Sequence, residues 1–296
     1  MHQDGQPGGA PEGAPAEGCS PEACASCGAD CPSKGGGIQK AQLNVNSSVK
    51  KVIGVVSGKG GVGKSMVTAL CALAATRHGY KTGIMDADIT GPSIPKMFGV
   101  HEKAYGSEYG IIPAVTPTEI SMMSINLLTE NETDPVVWRG PVIGNVVEQF
   151  WTDVCWEDLD VMFIDMPPGT GDVPLTVFQS IPIDGIIVVT SPQDLVSMIV
   201  SKAVNMAKLM NIPVLGLVEN MSYMVCPHCG EQINVFGESM AEKVAAAHEI
   251  KLLEKLPINP VLAQEADAGK IEFNEGTEME SILGVLDDLG LKPGVE

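Results

Sequence analysis

VIGVVSGKGGVGKS, residues Val52 to Ser65, turns from an aliphatic run of β type through a glycine-rich loop into a lysine and a serine. The following MVTALCALAATRHG has the composition of a helix. Gly58, Gly60, Gly61 and Gly63, with Val62 between the last two, allow backbone conformations that L-residues resist. Successive N–H groups can therefore converge on phosphate oxygens where the helix begins. Lys64 is then placed to pair with the β- and γ-phosphates, and the Ser65 hydroxyl with Mg²⁺. The stretch matches G-x-x-x-x-G-K-S/T in full, with the strand before and the helix after that the motif requires.

Outward from this loop, apolar runs of strand length alternate with amphipathic stretches. The pattern predicts an α/β fold, a largely parallel sheet with helices on both faces. Strands are expected near 52–57, 82–86, 121–126, 161–165, 186–190 and 214–218. The main helices are expected near 64–78, 141–153, 195–210, 237–248 and 278–289. Residues 1–48 are rich in Gly, Pro, Ala and Ser, lack a hydrophobic period, and read as a flexible tail ahead of a domain at 49–296.

Composition narrows the partners. With a net charge of -19 and a pI near 4.5, the chain lacks the excess of Lys and Arg that binds phosphate backbones, so nucleic acid is not expected. No stretch approaches the roughly 20 apolar residues that span a bilayer, and the first residues hold no apolar leader core. A cytoplasmic location without membrane contact is expected. Aromatics are only 4% of residues, so the core must be aliphatic and filled by methionine.

Polar groups gather at strand ends on the sheet's carboxyl edge, where open α/β folds place their sites. TGIMDAD delivers Asp86 and Asp88, and VMFIDMPPGTGD delivers Asp165 and, further on, Asp172. A carboxylate there can hold Mg²⁺ through water or position the water that attacks a γ-phosphate. VLGLVENMSYM is expected to place Asn220 just past a strand.

Eight cysteines in such a chain read as metal ligands or reactive thiols before disulfides. Cys71 and Cys155 stand alone and read as small buried apolar residues. Cys226 and Cys229 form a C-P-x-C-G knuckle directly after Asn220. Two thiolates are half of the four that structural zinc and most iron–sulfur sites take. A two-fold dimer would bring the missing pair, and a zinc knuckle or a redox dithiol are the other readings. Cys19, Cys24, Cys27 and Cys31 follow a C-x4-C-x2-C-x3-C spacing in the tail. They can wrap an iron–sulfur cluster or a zinc ion, or stand as free thiols.

GKGGVGKS, MDADITGPSIP, VVWRGP, FIDMPPGTGD, TSPQD, NMSYMVCPHCG, KLPINP and ADAGK together resemble the Mrp-type iron–sulfur cluster carriers. These are ATPases of the MinD, ParA and nitrogenase iron protein superfamily, and the likeness covers roughly residues 50 to 290. It implies that Lys59, the extra lysine of a deviant phosphate loop, reaches the partner's phosphates across a homodimer. It implies that Asp88 orients water, that Asp165 supports Mg²⁺, that PPGTG with Asp172 forms a second switch, and that Asn220 recognises adenine. It further implies a [4Fe–4S] cluster bridging Cys226 and Cys229 of two chains and handed to recipient apoproteins, and a tail cluster in some members. Two other readings are a cluster-bearing reductase and a MinD-like spatial regulator. The latter needs a basic terminal helix, whereas EMESILGVLDDLG is acidic.

Overall fold

The computed structural model describes residues 40–89, 91, 93–129, 140–169, 171–192, 196–275 and 279–294. One compact unit spans Lys40–Glu296. Its strands are β1 Ser48–Ser57, β2 Thr82–Asp86, β3 Tyr105–Ser107, β4 Gly110–Ile112, β5 Ala114–Val115 and β6 Ser121–Met123. They continue as β7 Asp158–Asp165, β8 Gly185–Thr190, β9 Val214–Val225, β10 Gln232–Ile233 and β11 Leu252–Pro257. The helices are α1 Lys64–Arg77, α2 Ile94–Phe98, α3 Gly140–Thr152, α4 Asp172–Ser180, α5 Val196–Leu209, α6 Ala241–Ala247, α7 Pro260–Asp267 and α8 Ser281–Asp288.

The main sheet runs β10-β9-β8-β1-β7-β2-β6-β5, and β11, off this path, also pairs with β9. All its pairings are parallel except β5 with β6 and β9 with β10. β1 lies at the centre between β7 and β8, which explains why its aliphatic run is buried throughout from Val52 to Ser57. A parallel strand covered on both faces has no polar side to show. Ile53 and Val55 pack into one core with α1 and α8, while Val52 and Val56 pack into another with α3, α4 and α5. Phe150, Trp156, Phe163 and Phe178 are fully buried, each worth about 1.5–3 kcal/mol over exposure.

Almost all of α1 is enclosed, from Val67 through Ala75, because its small and aliphatic side chains let it lie close to the sheet. It stops at a Schellman turn: Gly79 adopts φ 83°, its N–H bonds Thr76 O at 2.9 Å, and Tyr80 N–H reaches Ala75 O at 3.1 Å. Upstream of β1, Ala41 is tied to the unit by its N–H on Ser180 O at 2.7 Å and by Trp151 Nε1 donating to its carbonyl at 3.1 Å.

Three expectations need correction. The strand expected over 121–126 ends at Met123 and gives way to a 3₁₀ turn at Ile125–Leu127. The helix expected over 237–248 begins at Ala241. β9 does not stop at Val218 but runs to Val225, so Asn220 lies within the strand rather than past it. β11 lends that extension its second edge, and its LLEKLP sequence is too mixed to announce a strand. Helix α7 also lacks a strong period, yet Asn259 caps it by accepting from Val261 N at 3.0 Å and Leu262 N at 3.2 Å, with Pro260 following.

Candidate functional site

The carboxyl ends of β1, β2, β7, β8 and β9 meet on one edge of the sheet, and the loop Gly58–Gly63 crosses it. Gly63 caps α1 at φ 78°, ψ 30°, and among the described residues no side chain caps that helix terminus. The amide groups of its first turn are thus oriented for an anion. Gly61 also has positive φ, 79°. Gly58 is required by space: a Cβ there would lie 2.2 Å from Ile199 Cγ2. A cleft of about 290 Å³ opens over Gly60, Gly61, Gly63, Lys64, Ser65 and Asp88. A larger hollow of about 620 Å³ lies at the opposite edge, but there Lys50 is already neutralised by Asp160 at 2.6 Å.

Below the loop the charges are concentrated. Lys64 Nζ sits 2.6 Å from Asp165 Oδ1 and 3.6 Å from Asp88 Oδ2. Ser65 Oγ donates to Asp165 Oδ2 at 2.6 Å, and Thr68 Oγ1 lies 3.0 Å from Asp165 Oδ1. Asp86 is Cα partner to Asp165 across β2 and β7, accepts from Asp88 N at 3.2 Å on one oxygen and from Ser124 Oγ at 3.1 Å on the other. Burial pushes Asp86 well above the usual carboxylate range, the Asp165 and Asp88 charges push the same way, and Lys64 opposes them. Lys64, Asp86, Asp88 and Asp165 are all buried. Asp165 and Asp88 both face Lys64 Nζ, and Ser65 Oγ rests on Asp165, so a hydroxyl and a carboxylate, the oxygen donors that Mg²⁺ takes, stand together at the start of α1.

Asn220 is 9% exposed and its Nδ2 donates to Val62 O at 3.0 Å, so β9 touches the phosphate loop directly. Lys59 is half-buried, and its carbonyl accepts from Ser57 Oγ at 3.0 Å. Six residues beyond Asn220, the knuckle forms a tight turn. Cys226 N bonds Glu231 O and Gly230 N bonds Cys226 O, both at 2.9 Å, with β10 pairing back on the end of β9. The N–H groups of Cys229 and His228 point at the Cys226 sulfur and lower its pKa, with the Cys229 thiol adding to this. Cys226 is half-buried and Cys229 exposed. Among the described residues no three of His, Cys, Asp and Glu gather into a metal-sized group, so the knuckle offers two thiols and no third ligand.

The structure thus assembles the loop, Lys64, Ser65, Asp86, Asp88, Asp165 and Asn220 into one site and sets Cys226 and Cys229 at the far end of the strand that carries Asn220. Cys71 and Cys155 are buried, as their isolation in sequence predicts. Cys19, Cys24, Cys27 and Cys31 lie outside the described residues, as does the Asp172 side chain. Thr68 and Ser124, which hold Asp165 and Asp86, escape a reading of motifs. Thr68 follows Lys64 by one helical turn, the only local signal for it.

A family model described as ParA: NUBPL iron-transfer P-loop NTPase matches residues 48–288. The chain belongs to this family. A relative from Clostridium perfringens named iron-sulfur cluster carrier protein is 46% identical over 265 residues, 84% of this chain and 93% of that one. A protein of the same name from Methanocaldococcus jannaschii is 44% identical over 234 residues, 78% of this chain and 81% of that one. The structure of a nucleotide-binding protein from Archaeoglobus fulgidus in complex with ADP superposes with a TM-score of 0.71 at 40% identity, over 78% of this chain and 90% of that one. The cell division ATPase MinD of Pyrococcus furiosus, at 18% identity and TM-score 0.53 over 81% of this chain and 98% of that one, shares the fold. This P-loop NTPase family accounts for the phosphate loop and the sheet beneath it. Among the described residues no helix is long and apolar enough to cross a membrane.

Proposed function

We propose that the chain is an ATP-binding and ATP-hydrolysing iron–sulfur cluster carrier that receives a [4Fe–4S] cluster and transfers it to apoproteins. The observation that carries this reading is β9, a strand that holds Asn220 on the phosphate loop and ends at the two thiols of Cys226 and Cys229. The names of the relatives from Clostridium perfringens and Methanocaldococcus jannaschii, and the ADP bound by the Archaeoglobus fulgidus protein, support it.

In this reading the N–H groups of Gly60 to Ser65 hold the phosphates, and Lys64 exchanges its carboxylate partners for β- and γ-phosphate oxygens. Ser65 and Asp165 would hold Mg²⁺, which would supply neutralisation of phosphate charge. Asp88 orients the attacking water, and Lys59 reaches the partner chain's phosphates. Asn220 has one N–H committed to Val62, and its amide still has an N–H and a carbonyl for the adenine edge. Two chains close as a homodimer, so that Cys226 and Cys229 of each complete four thiolates around the cargo. The ATPase domain is residues 49–296. Upstream, Cys19, Cys24, Cys27 and Cys31 form a separate, more labile iron–sulfur site. The carrier works in the cytoplasm.

Anaerobic reconstitution with iron and sulfide, followed by counting both per chain, tests this. The full chain is expected to show broad visible absorption and to dimerise. Changing Cys226 and Cys229 to Ser should remove the bridging cluster and the dimer together, while deletion of residues 1–39 should spare both. Iron bound by a monomer of the deleted protein, or zinc alone after anaerobic purification, would overturn the bridging cluster.

A further inference from the structure

At Glu219 the strand β9 changes company. β8 pairs with it up to Thr190 opposite Glu219 and goes no further. On its other side β11 pairs Lys255 with Glu219 but Pro257 with Tyr223, so β9 carries two extra residues in the bulge between them. Met221, within that bulge, adopts φ 55°, a conformation that a side chain of its kind resists. The bulge therefore needs something to hold it.

Glu219 and Ser222 bracket it. Ser222 Oγ donates to Glu219 Oε2 at 2.6 Å, and both residues are buried, at 4% and 0% exposed. The second oxygen, Oε1, has no hydrogen-bond partner among the described residues, nor does Thr190 Oγ1 on the paired residue of β8. A buried carboxylate satisfied on one side contributes nothing to a simple core. Immediately before the bulge Asn220 is fastened to the phosphate loop, and after it the strand runs straight into Cys226.

We propose that Glu219, acting through Ser222, is a positioning residue that fixes the Met221 bulge and so makes the aim of Cys226 and Cys229 depend on the state of the phosphate loop. A shift of Val62 when nucleotide binds would pull Asn220, and a rigid bulge would pass that displacement along β9 to the knuckle. Without the Ser222 bond the bulge yields and absorbs it. This inference rests on the nucleotide and thiol roles proposed above.

The test uses the full chain, reduced and free of cluster. Alkylation of Cys226 and Cys229 by iodoacetamide is followed by mass spectrometry with and without ADP or ATP, beside binding of a fluorescent ATP analogue. In the unaltered chain nucleotide should change the alkylation rate by about fivefold or more, the lower range of coupling between two sites. Ser222→Ala and Glu219→Leu should erase that response while analogue affinity stays within about twofold of its original value. Glu219→Gln should keep the response, because its amide oxygen still accepts from Ser222. Should Glu219→Leu fail to fold, Ser222→Ala and Glu219→Gln decide between them. The proposal is overturned by alkylation indifferent to nucleotide in the unaltered chain, by a full response in Ser222→Ala, or by loss of response in Glu219→Gln. Absence of analogue binding or of iron uptake would instead bring down the carrier reading itself.

Discussion

Asn220 occupies the space that a side chain on Gly63 would need: a Cβ at Gly63 would lie 2.1 Å from Asn220 Nδ2. The glycine serves conformation, with φ 78°, and close approach at once. Gly61 has a similar φ of 79° with nothing within 4 Å of a built Cβ. Gly61→Ala therefore costs the strain of a left-handed residue, about 1–2 kcal/mol. Gly63→Ala adds eviction of Asn220 from Val62. Nucleotide titration should show the larger loss, more than about tenfold, for Gly63→Ala. Equal losses would leave the Asn220 contact without energetic weight.

Lys64 and Lys59 should separate by function. Lys64→Ala strands Asp165, 0% exposed, without its counter-charge, and breaking a buried pair costs about 3–5 kcal/mol. Denaturant unfolding and ATP titration should both register it. Lys59→Ala should bind ATP nearly as the unaltered chain does while losing hydrolysis and dimer closure. Similar affinity loss in both variants would refute the division.

Asp88 stands 3.6 Å from Lys64 Nζ and lines the cleft over the phosphate loop, which is where the proposed role in orienting water requires a carboxylate. Asp88→Asn should retain ATP affinity and lower turnover by about 10²-fold or more. Phosphate release at the unaltered rate would remove it from the mechanism.

Asp86 links the site to stability. Its folded-state pKa is raised by burial and by Asp165, above the unfolded value, so folding favours its protonated form. The stability it contributes is complete below the ordinary carboxylate range and is lost as pH rises through the raised value. Asp86→Asn should thus melt higher than the original protein at neutral pH, and the two curves should converge on acidification. Thermal melts of nucleotide-free protein across pH check the sign; a gap that widens toward acid would contradict it.

Cys226, whose sulfur faces the N–H groups of Cys229 and His228, should alkylate with a midpoint below the ordinary thiol value of about 8.5. Cys71, pushed up by burial and fully enclosed, should resist the reagent until the chain unfolds. Peptide-resolved labelling across pH would show both. A Cys226 midpoint at or above the ordinary value would deny the amide contacts an electrostatic role.

VIGVVSGKGGVGKS determined the phosphate loop, the strand before it and the helix after it, because glycine conformation and a lysine at a helix start act within a few residues. The aliphatic runs leading to Asp86 and Asp165 likewise announced buried parallel strands with carboxylates at their ends. Those interactions are local, or depend only on a face being apolar. The joining of Asn220 to Val62, 158 positions apart, was decided by the tertiary structure alone, as were the holding of Asp165 by Thr68 and the bulge between Glu219 and Tyr223. The length of β9 depends on β11, whose mixed sequence gains its strand from the edge it covers. Hydrogen bonds between distant strands follow from which neighbour the sheet supplies, and no spacing along one segment encodes that neighbour.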